Sequence, residues 1–158
     1  MATKPKSSPI AVSPQYWLLK SEPDVFSWDM LQAKGQNGEP WTGVRNYQAR
    51  NNMRAMKLGD HCFFYHSNIG KEVAGICEVI ALAHTDPTAE SGIWECVEVK
   101  AVAALPKPVT LDAIKLNARL ADMVLVKNSR LSVQPVTALE WAEVCRMGGV
   151  KAASLRYA

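Results

Sequence analysis

"EVAGICEVIALA", residues 72–83, reads as one long strand, and the fold follows from what lies on either side of it. Gly75 interrupts the run and predicts a bulge or a close backbone approach at that point. Before it, "HCFFYHS" (61–67) alternates, with Cys62, Phe64 and His66 on one face and His61, Phe63 and Tyr65 on the other. After it, past the loop "HTDPTAESG" (84–92), comes "IWECVEVKAVAAL" (93–105). Here Val97, Val99, Ala101 and Ala103 face one way, and Glu98 and Lys100 the other. Pro106 and Pro108 are expected to break that strand, because proline donates nothing to a ladder. Shorter strands are expected at "QYWLLK" (15–20) and "RLSVQPV" (130–136).

Between these runs stand helix signals. Ser27 is placed to cap a helix over 28–34 that Gly35 ends, and Asn46 to cap one over 47–57. Thr110 precedes "LDAIKLN" (111–117). Thr137 and Glu140 form a capping box opening a last helix to about Met147, closed by Gly148 and Gly149. About five or six strands with short helices between them define an α+β chain. A small, strongly bent sheet or barrel with helices packed on it is the natural closure.

The 158 residues suit one domain, expected over 15–147, with tails at 1–14 (disordered) and 148–158. A hydrophobic fraction of 48% against 21% charged excludes a disordered chain. The net charge of +3 permits a nucleic-acid partner without demanding one. No apolar run reaches the ~20 residues that span a bilayer, and the first residues lack a secretory apolar core. Cys62, Cys77, Cys96 and Cys145 are too scattered for a C-x-x-C pair, which fits reduced thiols in an intracellular protein, cytoplasmic or nuclear.

Chemistry concentrates in a few places. "WTGVRNYQARNNMRAMK" (41–57) carries Arg45, Arg50, Arg54 and Lys57, and no acid lies between Glu39 and Asp60. Ala49, Met53 and Met56 mark the buried helix face, and Arg50, Arg54 and Lys57 repeat that spacing one residue on. The stripe is either a solvated face or a rail for phosphates. The absence of any acid favours the rail. Trp41 stands in a polar loop, either as a stacking platform for a base or as a lid over the core's edge, whereas Trp17, Trp94 and Trp141 read as core. Lys20 and Ser21 end the first strand, where an ammonium and a hydroxyl can read a base edge or a phosphate, although taken alone they read as a surface Lys and a serine turn. Arg130 and Ser132 are two apart on the last strand. His61, Cys62 and His66 do not make a tetrahedral set, so no metal is expected, nor any cofactor. His66 reads instead as a polar pocket wall. No Gly-rich phosphate loop, G-x-S-x-G or H-E-x-x-H is present.

Together "YWLLKSEP", "WTGVRNYQARNNMRAMKLGD", "FFYHSN", "DPTA" and "ADMVLVKNSRLSVQPV" resemble the EVE domain family over about residues 15–147. The resemblance implies a PUA-like fold, related to the YTH domains that hold a methylated adenine of RNA in an aromatic cage. It implies a non-catalytic reader whose partner is nucleic acid carrying a modified base, notably modified cytosine in DNA. By motif matching, Lys20 and Ser21 open the pocket, Trp41 and Thr42 supply its first cage wall, and Arg130 to Ser132 its far wall. Asn46, Tyr65 and His66 are placed near it. The loop at 86–93 is short beside that of many relatives, leaving Trp28 or Tyr65 to supply a second aromatic wall, or the pocket half open. Two rival readings stand beside this one. One is a PUA-like amidohydrolase of modified nucleosides built on Lys20 and Ser21 with Glu22 or Glu78. The other is a module for modified RNA.

Overall fold

The computed structural model describes residues 15–151. The tail expected over 1–14, and residues 152–158 of the C-terminal tail, lie outside the described residues. Among the described residues six strands form one sheet: β1 (Tyr16–Ser21), β2 (Glu39–Pro40), β3 (His61–His66), β4 (Glu72–Thr85), β5 (Glu95–Thr110) and β6 (Val133–Val136). Their order is β2-β5-β4-β3-β1-β6. β1 and β3 run parallel, and the other pairs are antiparallel. The class is α+β, as expected. The ladder is not closed into a barrel, since β2 and β6 form its two edges. Repeated register shifts between β4 and β5 bend it instead, because each extra residue kinks the bulged strand.

Strand alternation gives the sheet two apolar faces. Trp17, Leu19, Phe64 and Val99 face helices α1 (Trp28–Ala33) and α2 (Tyr47–Ala55), which bury Leu31 and Met53 against them. Leu18, Phe63 and Ile76 face the other way. They meet α3 (Leu111–Lys115), α4 (Val124–Lys127) and α5 (Ala138–Gly148). There Trp141 stacks on Phe63 at 3.9 Å between centroids and on Tyr16 at 4.6 Å. The four cysteines are free and buried.

Capping sets the helix starts. Ser27, Asn46, Thr110 and Thr137 each accept a backbone N–H of the first turn with their side chain, and Thr137 and Glu140 close the expected capping box. Gly149, at φ +83°, ends α5 in the left-handed region. Gly75 fulfils both halves of its expectation. The register shifts beside it, and a Cβ there would stand 2.4 Å from the Trp28 ring.

The prolines do not break β5, which runs on to Thr110. Gly75 pairs with Ala104 and Val73 with Val109, so residues 105–108 bulge out of the ladder. Within a bulge the missing proline N–H leaves no rung unmade. The last strand is also shorter than its apolar run: β6 begins at Val133, and Arg130 and Ser132 lie before it.

Candidate functional site

Because β1 and β3 are parallel, both deliver their C-terminal ends to one edge of the fold. The two are tied there by Ser67 N donating to the Ser21 carbonyl at 2.9 Å. A cleft of about 680 Å³ opens at that edge, within the ~300–1,000 Å³ usual for small-molecule sites. Four segments wall it: the end of β1 with the loop through Phe26, the stretch from Glu39 to Arg45, Ser67 just past β3, and Ser129 with Ser132. Of the residues expected here, Lys20, Ser21, Trp41, Thr42 and Ser132 line the cleft, and so does Arg45.

Trp41 forms its aromatic floor. Its backbone N–H donates to the Val97 carbonyl at 2.8 Å, which seats the loop against β5. The ring meets Phe64 edge to face at 5.6 Å and Phe26 at 6.2 Å, leaving 7% of the residue exposed. Phe26 is thus the second aromatic of the cleft. Trp28 packs under Gly75 and against Phe64, and Tyr65 belongs to the opposite face of the sheet. Neither is among the residues that line the cleft. An aromatic five residues beyond the Lys-Ser pair was the only local signal for Phe26, and its loop has no periodicity to say where it points.

The polar groups are held by the backbone. Lys20 Nζ donates to the Ser129 carbonyl, and burial pulls its pKa down. Ser21 Oγ donates to the Phe26 carbonyl at 2.6 Å, pinning the loop that carries Phe26. Thr42 to Arg45 are fixed by Asp86, from the short loop after β4. One Asp86 oxygen accepts from Gly43 N at 2.8 Å and from the Arg45 guanidinium at 3.0 Å. The other accepts from Thr88 N and Thr88 Oγ1, both at 2.7 Å. Asp86 is fully buried. Burial alone pushes its pKa up, but the bonds from Thr88, Gly43 and Arg45 outweigh that and hold it well below the usual carboxylate range. Asp86 escaped the sequence reading, although it opens the "DPTA" block.

Four other expected residues do not line the cleft. Asn46 caps α2 by accepting from Ala49 N at 2.9 Å. Tyr65 lies in the second core with Lys20 Nζ 5.8 Å from its ring centroid. Burial, helped by the Asp112 charge, pushes its phenol up to about 12. His66 Nε2 accepts from Trp28 N at 3.1 Å, so it supports the start of α1. Burial lowers its pKa against the opposing pull of Glu72 and Asp29, and the neutral ring keeps that acceptor. Arg130 is exposed between Ser129 and Ser132.

The cationic stripe is answered by acids from elsewhere in the chain. Arg45 pairs with Asp86, and Arg54 with Glu95. Arg50 donates to the Ile93 carbonyl and lies over Tyr47 and Trp94. Among the described residues Arg50, Lys57 and Arg130 have no carboxylate partner. Nor does any group of three His, Cys, Asp or Glu side chains among them stand ready to hold a metal ion.

The mixed, bent sheet with helices on both faces is a PUA-like α+β fold. The EVE domain model matches residues 15–147, and the chain belongs to the EVE domain family. A solved protein from Agrobacterium tumefaciens is 60% identical, with a TM-score of 0.86 over 87% of this chain and 95% of its own. Thymocyte nuclear protein 1 from Homo sapiens is 35% identical in an alignment that covers 80% of this chain and 70% of that protein. The human THYN1 protein, solved in complex with DNA containing 5-methylcytosine, is 34% identical. Its TM-score is 0.78 over 85% of this chain and 97% of its own. A YTH domain from Zygosaccharomyces rouxii shares the fold with a TM-score of 0.55 at 16% identity, over 89% of this chain and 90% of its own.

Proposed function

We propose that this chain is a non-catalytic reader of a modified base in nucleic acid, with 5-methylcytosine in DNA as the mark. The observation that carries the reading is the cleft itself. It has an aromatic floor at Trp41 and polar walls at Lys20, Ser21, Thr42 and Ser132, in a family whose human relative was solved with 5-methylcytosine-containing DNA. A base extruded from its strand costs a few kcal/mol, and stacking on an aromatic ring returns ~1–3 kcal/mol. With so little of Trp41 exposed, the base reaches its face by displacing the Phe26 ring, whose loop is held by Ser21 Oγ donating to the Phe26 carbonyl and by Val25 N and Phe26 N donating to the Glu22 carbonyl.

The arrangement of Lys20 and Ser21 supports binding over amide hydrolysis. Each donates to a separate backbone carbonyl, and no hydrogen bond joins them among the described residues. A Lys-activated hydroxyl nucleophile needs that contact. Of the two carboxylates considered for such a set, Glu22 lines the cleft, whereas Glu78 pairs in register with His61 and Lys100, away from the lining.

The test is an anisotropy titration with matched oligonucleotides carrying plain or 5-methylated cytosine, in DNA and in RNA, with N6-methyladenine as a further arm. Wild type prefers the methylated DNA. Trp41→Ala loses that preference by ~5- to 150-fold, the equivalent of one base stack. Thr42→Val, which leaves the apolar floor intact, weakens it as well. Equal binding to every oligonucleotide, unchanged by both variants, contradicts the proposal.

A further inference from the structure

Arg45 has a second neighbour besides the cleft. Its guanidinium carbon lies 5.9 Å from the centroid of Trp94, in the loop that leads into β5. Trp94 in turn lies 5.0 Å from Tyr47, at 32° between planes. Arg50 stands 5.1 Å from the Tyr47 centroid and 5.9 Å from that of Trp94. Two guanidinium groups and two rings therefore form a continuous cluster that begins where the cleft lining ends.

Part of this cluster holds the fold together. Arg50 donates to the Ile93 carbonyl at 3.0 Å and so fastens the short loop to α2. That role accounts for Arg50 and for the buried part of Trp94. It does not account for Tyr47, which leaves 59% of its surface in solvent at the first position of α2. Helix propensity gives no reason for an aromatic there. The charge around it is also one-sided. Asp86 is buried beneath Arg45, Glu95 is bound to Arg54, and Arg50 has no carboxylate partner among the described residues.

Exposed rings interleaved with guanidinium groups are what nucleic-acid-binding surfaces use to hold unpaired bases without regard to sequence. Each ring offers a stacking face, and each cation serves the phosphate and the π-system. We propose that Tyr47 and Trp94, with Arg50, form a stacking platform for an unpaired nucleotide next to the base held in the cleft. This rests on the cleft being the base site, because Arg45 is what makes the two surfaces neighbours. The platform would supply affinity and the cleft selectivity. It would also explain the short loop after β4, which presents Trp94 beside Tyr47.

The two ideas separate in one set of titrations. The probes are short single-stranded DNAs with one central 5-methylcytosine or plain cytosine, and free 5-methyldeoxycytidine. The proteins are wild type, Tyr47→Ala, Tyr47→Phe and Trp41→Ala. Tyr47 is exposed, so Tyr47→Ala leaves the core untouched. Tyr47→Ala weakens both oligonucleotides by the same ~5- to 150-fold, the range for losing one base stack. It leaves the methylated-to-plain ratio and the affinity for the free nucleoside unchanged, and Tyr47→Phe restores wild-type binding. If wild type prefers the methylated strand and Tyr47→Ala binds both strands as wild type does, the platform is refuted and the reading stands. If wild type binds both strands equally but Tyr47→Ala weakens both, the base reading fails and the platform survives as a plain nucleic-acid contact. Wild type that binds neither strand overturns both.

Discussion

Asp86→Asn is the substitution that most sharply tests how the cleft wall is built. The carboxylate accepts two bonds on each oxygen. An asparagine has the same shape but only one acceptor oxygen. If that oxygen keeps Thr88, the new amide N–H₂ faces Gly43 N–H and the Arg45 guanidinium, donor against donor. Two bonds to a charged acceptor are lost, each worth ~1.5–3 kcal/mol, which sums to ~3–6 kcal/mol. Stripping a buried charge of its partner costs ~3–5 kcal/mol by an independent route. The Arg45 side chain is 38% exposed and can turn to water, which favours the lower end, ~3 kcal/mol. At ~2–4 °C per kcal/mol for a chain of this size, the melting temperature falls by ~6–12 °C. The assay is urea and thermal unfolding followed by circular dichroism. Thr88→Ala, which deletes one hydroxyl that donates to the same carboxylate, serves as the scale at ~1.5–3 kcal/mol. An Asp86→Asn protein within 1 kcal/mol of wild type would mean that the carboxylate does not hold Thr42 to Arg45, and the account of the wall would be wrong.

Three further outcomes follow from the geometry. Gly75→Ala drives a Cβ to within 2.4 Å of the buried Trp28 ring, which lowers stability by ~1–3 kcal/mol through overpacking, as urea midpoints will show. Stability also falls with acidification in two stages. His61 and His66 have pKa values lowered mainly by burial, so the folded chain resists their protonation, and stability drops as pH passes below the ordinary histidine value of ~6.5. Glu143 is held at about 2 by hydrogen bonds from Arg146 and Asn117, so its contribution is present above about 4.5 and drains away between there and about 2. A flat stability profile from about pH 7 to about pH 3 would contradict both stages. With Arg45 and Arg54 already paired, Arg50, Lys57 and Arg130 remain for phosphates. The plot of log affinity against log salt on duplex DNA then slopes at about −2 to −3, short of the −3 to −4 of a fully free stripe. A slope near zero removes the phosphate rail.

Features that depend on local chemistry were legible in the sequence. The four caps could be read because a capping side chain acts within three residues of itself. Gly75 could be read because a glycine inside a strand signals a missing side chain whatever sits opposite. Features that depend on a distant partner were not legible. The stretch from Trp41 to Lys57 looked uncompensated because its acids, Asp86 and Glu95, lie some forty residues further on and come beside it only when β4 and β5 fold back. Pro106 and Pro108 looked like a strand end because nothing local reveals a bulge that passes them over. Tyr65 was placed both ways. Strand alternation set it opposite Phe64, while resemblance put it near the pocket, and the structure follows the alternation. Trp94 read as core because the strand was expected to begin at Ile93. It lies one residue before β5, where the chain is still loop.

On the proposed reading a modified base leaves its strand and enters the cleft above Trp41. A crystal structure of the chain with DNA carrying one 5-methylcytosine tests it most directly. The account predicts the base stacked on Trp41, Phe26 displaced, and the base edge bonded among Lys20, Ser21, Thr42 and Ser132. A methylated base still paired in its duplex, or bound elsewhere with the cleft closed by Phe26, would contradict it.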